Sequence, residues 1–142
     1  MFAAFPLLAL PVAVYNLVAL SLLGGLGSVE AGLRMGEELF TIRMASNVDW
    51  SVSLGDLFLA ASLVVLFIEL LKSTTSRRIA IINHALSMIL FIVCLVEFLL
   101  APAFATSTFF LITVMVLLDV LAGFIVTIVA ARRDIDFGPG EA

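Results

Sequence analysis

Four ionisable side chains sit inside stretches that are otherwise hydrocarbon: Glu69, His84, Glu97 and Asp119. A charge among apolar residues is costly unless it is paired or used, so each is a suspect for proton or cation handling. The competing role is a clamp between helices. Depth follows from a rise of about 1.5 Å per residue. Glu69 precedes Lys72 by three residues and so lies near one surface. His84 falls at similar depth on the next stretch, which makes a Glu69–His84 pair natural, with Glu69–Lys72 as the equal alternative. Ser62 shares the face of Glu69 and extends a polar seam.

Asp119 lies at the centre of its stretch, where no side chain can snorkel to water. Asn16 and Tyr15 reach a similar depth in the first stretch, so a hydrogen bond from one of them to Asp119 is expected. Gly123 shares the Asp119 face and allows close helix approach. Glu97 lies a few residues from Pro102, within reach of water. The four groups form a broken ladder of the kind a proton relay uses. His84 and Glu97 stand about 140° apart around a helix, however, and line no single face.

No enzyme is expected from these residues. Cys94 and His84 are the only cysteine and histidine, which excludes an intramolecular disulfide and a Cys/His metal cluster. The LLGGLGS segment fails as a phosphate loop, because Glu30 occupies the third glycine position and a strand does not precede it. Activated nucleophiles and paired catalytic carboxylates are also missing, and neither a metal nor another cofactor is implied.

The elements that carry these residues follow from composition. Of 142 residues, 63% are hydrophobic and 13% charged, against about 45–50% and about 25% in soluble domains. Spans are expected at about 2–23, 54–72, 79–100 and 108–131, each near the roughly 20 residues that cross a bilayer as a helix. The second has a shorter apolar core and recruits residues 53–56 and a snorkelling Lys72. Pro11 should kink the first span. No basic residue precedes Arg34, so the first span reads as a retained helix rather than a signal peptide.

Lys72, Arg77 and Arg78 lie between the second and third spans, and Arg132 and Arg133 follow the fourth. Arg34 and Arg43 share their loop with Glu30, Glu37, Glu38 and Asp49. The bias places both termini and the five clustered cations on the cytoplasmic side, against lipid headgroups. The expected location is a bacterial inner membrane, with a flexible cytoplasmic tail at 132–142.

One stretch departs from the helical pattern. Between about 39 and 54, apolar and polar residues alternate with a period of two, the mark of strands. A three-residue loop at 45–47 pairs Met44 with Val48, Ile42 with Trp50 and Phe40 with Val52. That register puts every apolar side chain on one face, with Asn47 suited to the left-handed closing position. The face is expected to fold over the outer helix ends, with Trp50 in the interfacial belt. Phe40, Ile42, Trp50 and Val52 would otherwise dock another subunit.

The expected fold is thus an all-α membrane protein, a single domain built as a four-transmembrane-helix bundle with a small extracytoplasmic β-hairpin between helices 1 and 2. Its plan resembles that of the claudins in topology alone. The paired cysteines and the W…LW…C…C pattern of their first loop are absent, so no function follows. The expected role is that of a non-enzymatic accessory or self-assembling subunit of a membrane complex. Its expected partners are membrane lipids and either its own copies or a larger membrane complex, with no nucleic acid. The alternative is a proton or cation translocator centred on Asp119 with Glu69, His84 and Glu97.

Overall fold

The computed structural model describes residues 5–21, 24–73 and 77–136. The chain forms α1 (Ala9–Ser21), α2 (Glu30–Met35), β1 (Glu38–Arg43), β2 (Asp49–Ser53), α3 (Leu54–Ser73), α4 (Arg77–Leu100), a 3-10 turn (Pro102–Phe104) and α5 (Ser107–Asp136). Three segments are long and apolar enough to cross a membrane: Leu54–Lys72, Ile81–Leu100 and Ser107–Val126. The expected fourth, at 2–23, is shorter than the sequence implies. Its helix is the 13-residue α1, which rises only about 20 Å.

Proline explains the shortening. Pro6 lies outside the helix, and the Pro6 carbonyl accepts from Ala9 N–H at 3.1 Å in a tight turn. Pro11 has no N–H for the Leu7 carbonyl, which accepts from Leu10 N–H at 2.9 Å instead. The far end unwinds through Gly24 and Gly25, whose φ angles of 86° and 85° suit residues without a Cβ.

α5 packs along both α3 and α4, which meet each other only sparingly. The core lies along this wedge and includes Leu66, Cys94, Phe109, Ile112 and Val116. Two ends of the bundle are thereby defined. At the turn end, α3 leads into α4. The connection at 74–76 falls outside the described residues, as do residues 137–142 of the tail; residues 132–136 continue α5 rather than forming a loose end.

At the hairpin end, the 24–56 and 101–106 connections meet. Ala103 N–H donates to the Leu26 carbonyl at 3.2 Å, and Leu54 N–H to the Glu37 carbonyl at 3.1 Å. Here Tyr15, Phe104 and Phe109 form an aromatic cluster, with Tyr15–Phe109 and Phe104–Phe109 centroids both 4.8 Å apart. Such pairs add about 0.5–1.5 kcal/mol each beyond their buried area.

β1 and β2 pair antiparallel with Ile42 opposite Trp50 and Phe40 opposite Val52. Met44 N–H donates to the Val48 carbonyl at 2.9 Å, and Asn47 has a φ of 62°. Pairing therefore follows the expected register. An irregularity between Glu38 and Phe40 returns Glu38 to the polar face. The Thr41 and Ser51 hydroxyls then hold its carboxyl below the usual carboxylate range.

The apolar face does not fold over the helix ends. Val52 is 3% exposed, but Trp50 is 50% exposed and Phe40, Ile42, Met44 and Val48 are exposed with it. The reason is connectivity. α3 starts at Leu54, directly after β2 ends at Ser53, so no linker lets the hairpin turn back onto the bundle. A reciprocal cap fixes this junction: Ser53 N–H donates to Asp56 Oδ2 at 2.9 Å, and Asp56 N–H to Ser53 Oγ at 3.2 Å.

Gly55 lies where α3, the end of α2 and the start of α5 crowd together. A Cβ there would stand 2.7 Å from Thr108 Oγ1 and 2.8 Å from the Met35 carbonyl oxygen. Gly55→Ala should therefore lower stability by about 1–3 kcal/mol. Thermal unfolding in detergent checks this; an unchanged midpoint would contradict the packing described.

Candidate functional site

Glu69 is fully buried at the turn end and joins three elements. Its Oε2 accepts from Leu7 N–H at 2.6 Å, and its Oε1 accepts from Asn83 Nδ2 at 2.5 Å. Lys72 Nζ lies 3.3 Å from Oε1 and also donates to the Phe5 carbonyl. The chain leading into α1 has N–H groups without intrahelical partners, and the carboxylate takes one of them. Glu69 thus acts as a cap supplied from another helix, and Lys72 balances its charge.

The expected Glu69–His84 pair does not form. Adjacent positions on α4 point about 100° apart, and α5 stands beside one of them. Asn83 meets Glu69 on α3, while His84 lies against Gly123 on α5. A Cβ at Gly123 would approach His84 Nδ1 to 2.6 Å, so only glycine admits the ring. Among the described residues, His84 Nδ1 is buried without a hydrogen-bond partner.

Asp119 is 4% exposed and bonds to Ser87, whose hydroxyl donates to Oδ2 at 2.6 Å. Neither Asn16 nor Tyr15 is its partner, contrary to the depth argument. Tyr15 lies at the hairpin end, its hydroxyl 2.8 Å from Thr106 Oγ1 and donating to the Ala103 carbonyl at 3.3 Å. Thr106 Oγ1 in turn caps α5 by accepting Phe109 N–H at 3.0 Å. Asn16 Nδ2 donates to Glu97 Oε2 at 3.1 Å, joining α1 to α4. The mismatch lies in Asp119: Ser87 holds it one turn, about 6 Å, from Asn83 and the Glu69 level, whereas Asn16 lies seven residues past the start of α1, about 10 Å beyond that level.

Asn83, Ser87 and Thr106 escaped the sequence reading because partners for the four ionisable groups are sought there by depth alone. A signal was present: Asn83 and Ser87 are spaced i, i+4 on an apolar helix, which places two polar groups on one face. Ser62 is buried, but its hydroxyl turns back to the Phe58 carbonyl at 2.8 Å, so the seam from Glu69 does not extend through it. The side chains of Arg77, Arg78, Arg132 and Arg133 lie outside what the structure describes.

The arrangement has two polar tiers. Lys72, Glu69, Asn83, Ser87 and Asp119 occupy the turn-end half, and Asn16 with Glu97 the hairpin-end half. Leu66, Cys94, Ile112, Met115 and Val116 fill the core between the tiers. Among the described residues, no three His, Cys, Asp or Glu side chains gather as a metal site.

No family model, curated protein or solved structure matches this chain.

The Glu69 junction predicts a graded response. Glu69→Ala leaves Leu7 N–H and Asn83 Nδ2 without their acceptor and Lys72 without its counter-charge, and should cost about 3 kcal/mol. Glu69→Gln retains an acceptor and should cost about 1 kcal/mol. Unfolding by SDS titration in mixed micelles measures both, and equal losses would argue against a capping role.

Proposed function

We propose that this chain is a small, non-enzymatic, polytopic membrane protein that serves as an accessory or self-assembling subunit of a membrane complex. One observation carries the reading: the hairpin presents Phe40, Ile42, Met44, Val48 and Trp50 together and exposed. A two-stranded sheet is marginal in water alone, and a contiguous apolar face of this kind marks an interaction surface. The polar network supports the same reading. Glu69, Asp119 and Glu97 each bond to another helix or to the segment that leads into one, which is how interhelical clamps are built.

In this reading α3, α4 and α5 cross the bilayer, and α1 crosses with help from the turn before it. The chain from Phe5 to Leu26 runs from the Lys72 level to the Ala103 level. The clustered cations put the turn end in the cytoplasm and the hairpin outside, as in a bacterial inner membrane. Cysteines introduced as Ser46→Cys and Thr75→Cys should then react with an impermeant reagent from opposite sides. Same-side labelling would remove this topology.

Assembly is tested at the hairpin. Ile42→Ser with Trp50→Ser leaves the bundle core untouched, and should shift the protein in native-membrane extracts from a larger complex to the monomer. An unchanged complex would show that the hairpin face is not the contact. A second reading, proton or cation translocation, draws on the turn-end tier, where Asn83 and Ser87, one turn apart on α4, hold Glu69 with Lys72 and Asp119 at neighbouring levels. The apolar layer above Asp119 weighs against it. Flux into liposomes that Asp119→Asn abolishes would reverse the order of the two readings. If the role is structural, Asp119→Asn should be tolerated, while Asp119→Leu strands Ser87 and costs about 1–3 kcal/mol.

A further inference from the structure

A groove lies between α1 and α4, with α3 contributing Val65 and Ile68 to its lining. Its volume is about 750 Å³, within the range of small-molecule sites. Leu7, Leu10, Ala13, Ile68, Leu90 and Val93 are among the walls. Leu10, Ile68 and Val93 are exposed, so the groove opens sideways, toward lipid in a membrane-embedded chain. Only Asn16 and Glu97 among the lining residues are polar, and they sit together at the hairpin-side end.

Glu97 is the group that gives the groove chemical direction. Its Oε2 accepts from Asn16, while Oε1 has no hydrogen-bond partner among the described residues. A carboxylate oxygen at the head of an apolar channel suits an amphiphile whose polar end donates. Two lengths narrow the class. Glu97 lies three residues from the end of α4 at Leu100, about 5 Å along the axis, within reach of the headgroup layer. Along α4 the groove wall from Glu97 to Leu90 runs about 10 Å, within the hairpin-side half of a hydrocarbon layer about 30 Å thick.

We propose that this groove holds one aminophospholipid from the hairpin-side leaflet. The primary ammonium donates to Glu97, and an acyl chain lies along α1 and α4 toward Phe5. A quaternary ammonium has no N–H for Oε1, and a headgroup without a cation lacks the charge complement, so the site separates phosphatidylethanolamine from phosphatidylcholine and phosphatidylglycerol. Retention would give α1, which is too short to pack along the whole of α4, an apolar partner on its open side.

The inference rests on the membrane reading above, which the opposite-side labelling tests independently. The experiment is reconstitution into vesicles with equal parts of the three lipids and matched acyl chains, followed by mild extraction and native mass spectrometry. About one phosphatidylethanolamine per chain should be retained, enriched about tenfold over either competitor. Glu97→Gln should reduce the enrichment to about twofold or less, and Val93→Trp or Leu90→Trp should remove bound lipid of every class. No retained lipid, no headgroup preference in the wild type, or a preference that survives Glu97→Gln would overturn the proposal. So would a Trp variant that keeps its lipid, or one that dissociates an oligomer, which would make the groove an interface between copies. If both Trp variants fail to fold, the wild type and Glu97→Gln comparison decides.

Discussion

Backbone N–H and carbonyl groups must be bonded wherever water is excluded, and in this chain the start of α1 is where that requirement is hardest to meet. The prolines keep the first helix from reaching the bundle edge, so its leading N–H groups open among apolar side chains. Glu69 answers with a carboxylate from α3. The rest of the turn end follows from that charge, since a buried carboxylate itself needs donors. Asn83 and Lys72 supply them, which ties α4 to α3 near their connection. Further along, the two helices part and α5 wedges between them.

Each hairpin-end contact has a comparable logic. Tyr15 cannot bury its hydroxyl without a partner, and the Thr106 cap of α5 provides one. One hydroxyl therefore serves both an aromatic cluster and a helix start. The result is a bundle whose polar groups are concentrated where helices begin or end, or where two helices must keep their register. Its middle is filled by residues such as Ile112 and Val116.

What was legible in the sequence was what periodicity alone controls. Period two and Asn47 were enough for the hairpin register, because any other alignment would mix polar and apolar faces. Long apolar runs were enough for α3, α4 and α5. Partner choice was not legible, because it depends on how a helix is rotated against neighbours that sequence does not name. One step along α4 separates Asn83, which meets Glu69, from His84, which meets Gly123. The depth estimate that pairs Asp119 with Tyr15 or Asn16 fails for a related reason: it centres Asp119 in an apolar run at 108–131, whereas α5 continues to Asp136 and Ser87 holds Asp119 within a turn of the Glu69 level. The hairpin face was assigned to its own bundle on the rule that strands bury one side, and the absence of a linker after Ser53 defeats that rule.

That missing linker also has a mechanical meaning. A hairpin arm about 20 Å long is joined to α3 through a locked cap and the glycine contact at Gly55, with no hinge between them. α3 carries Glu69 near its other end, and Glu69 holds the start of α1. The outer arm and the innermost anchor are therefore attached to opposite ends of a single helix.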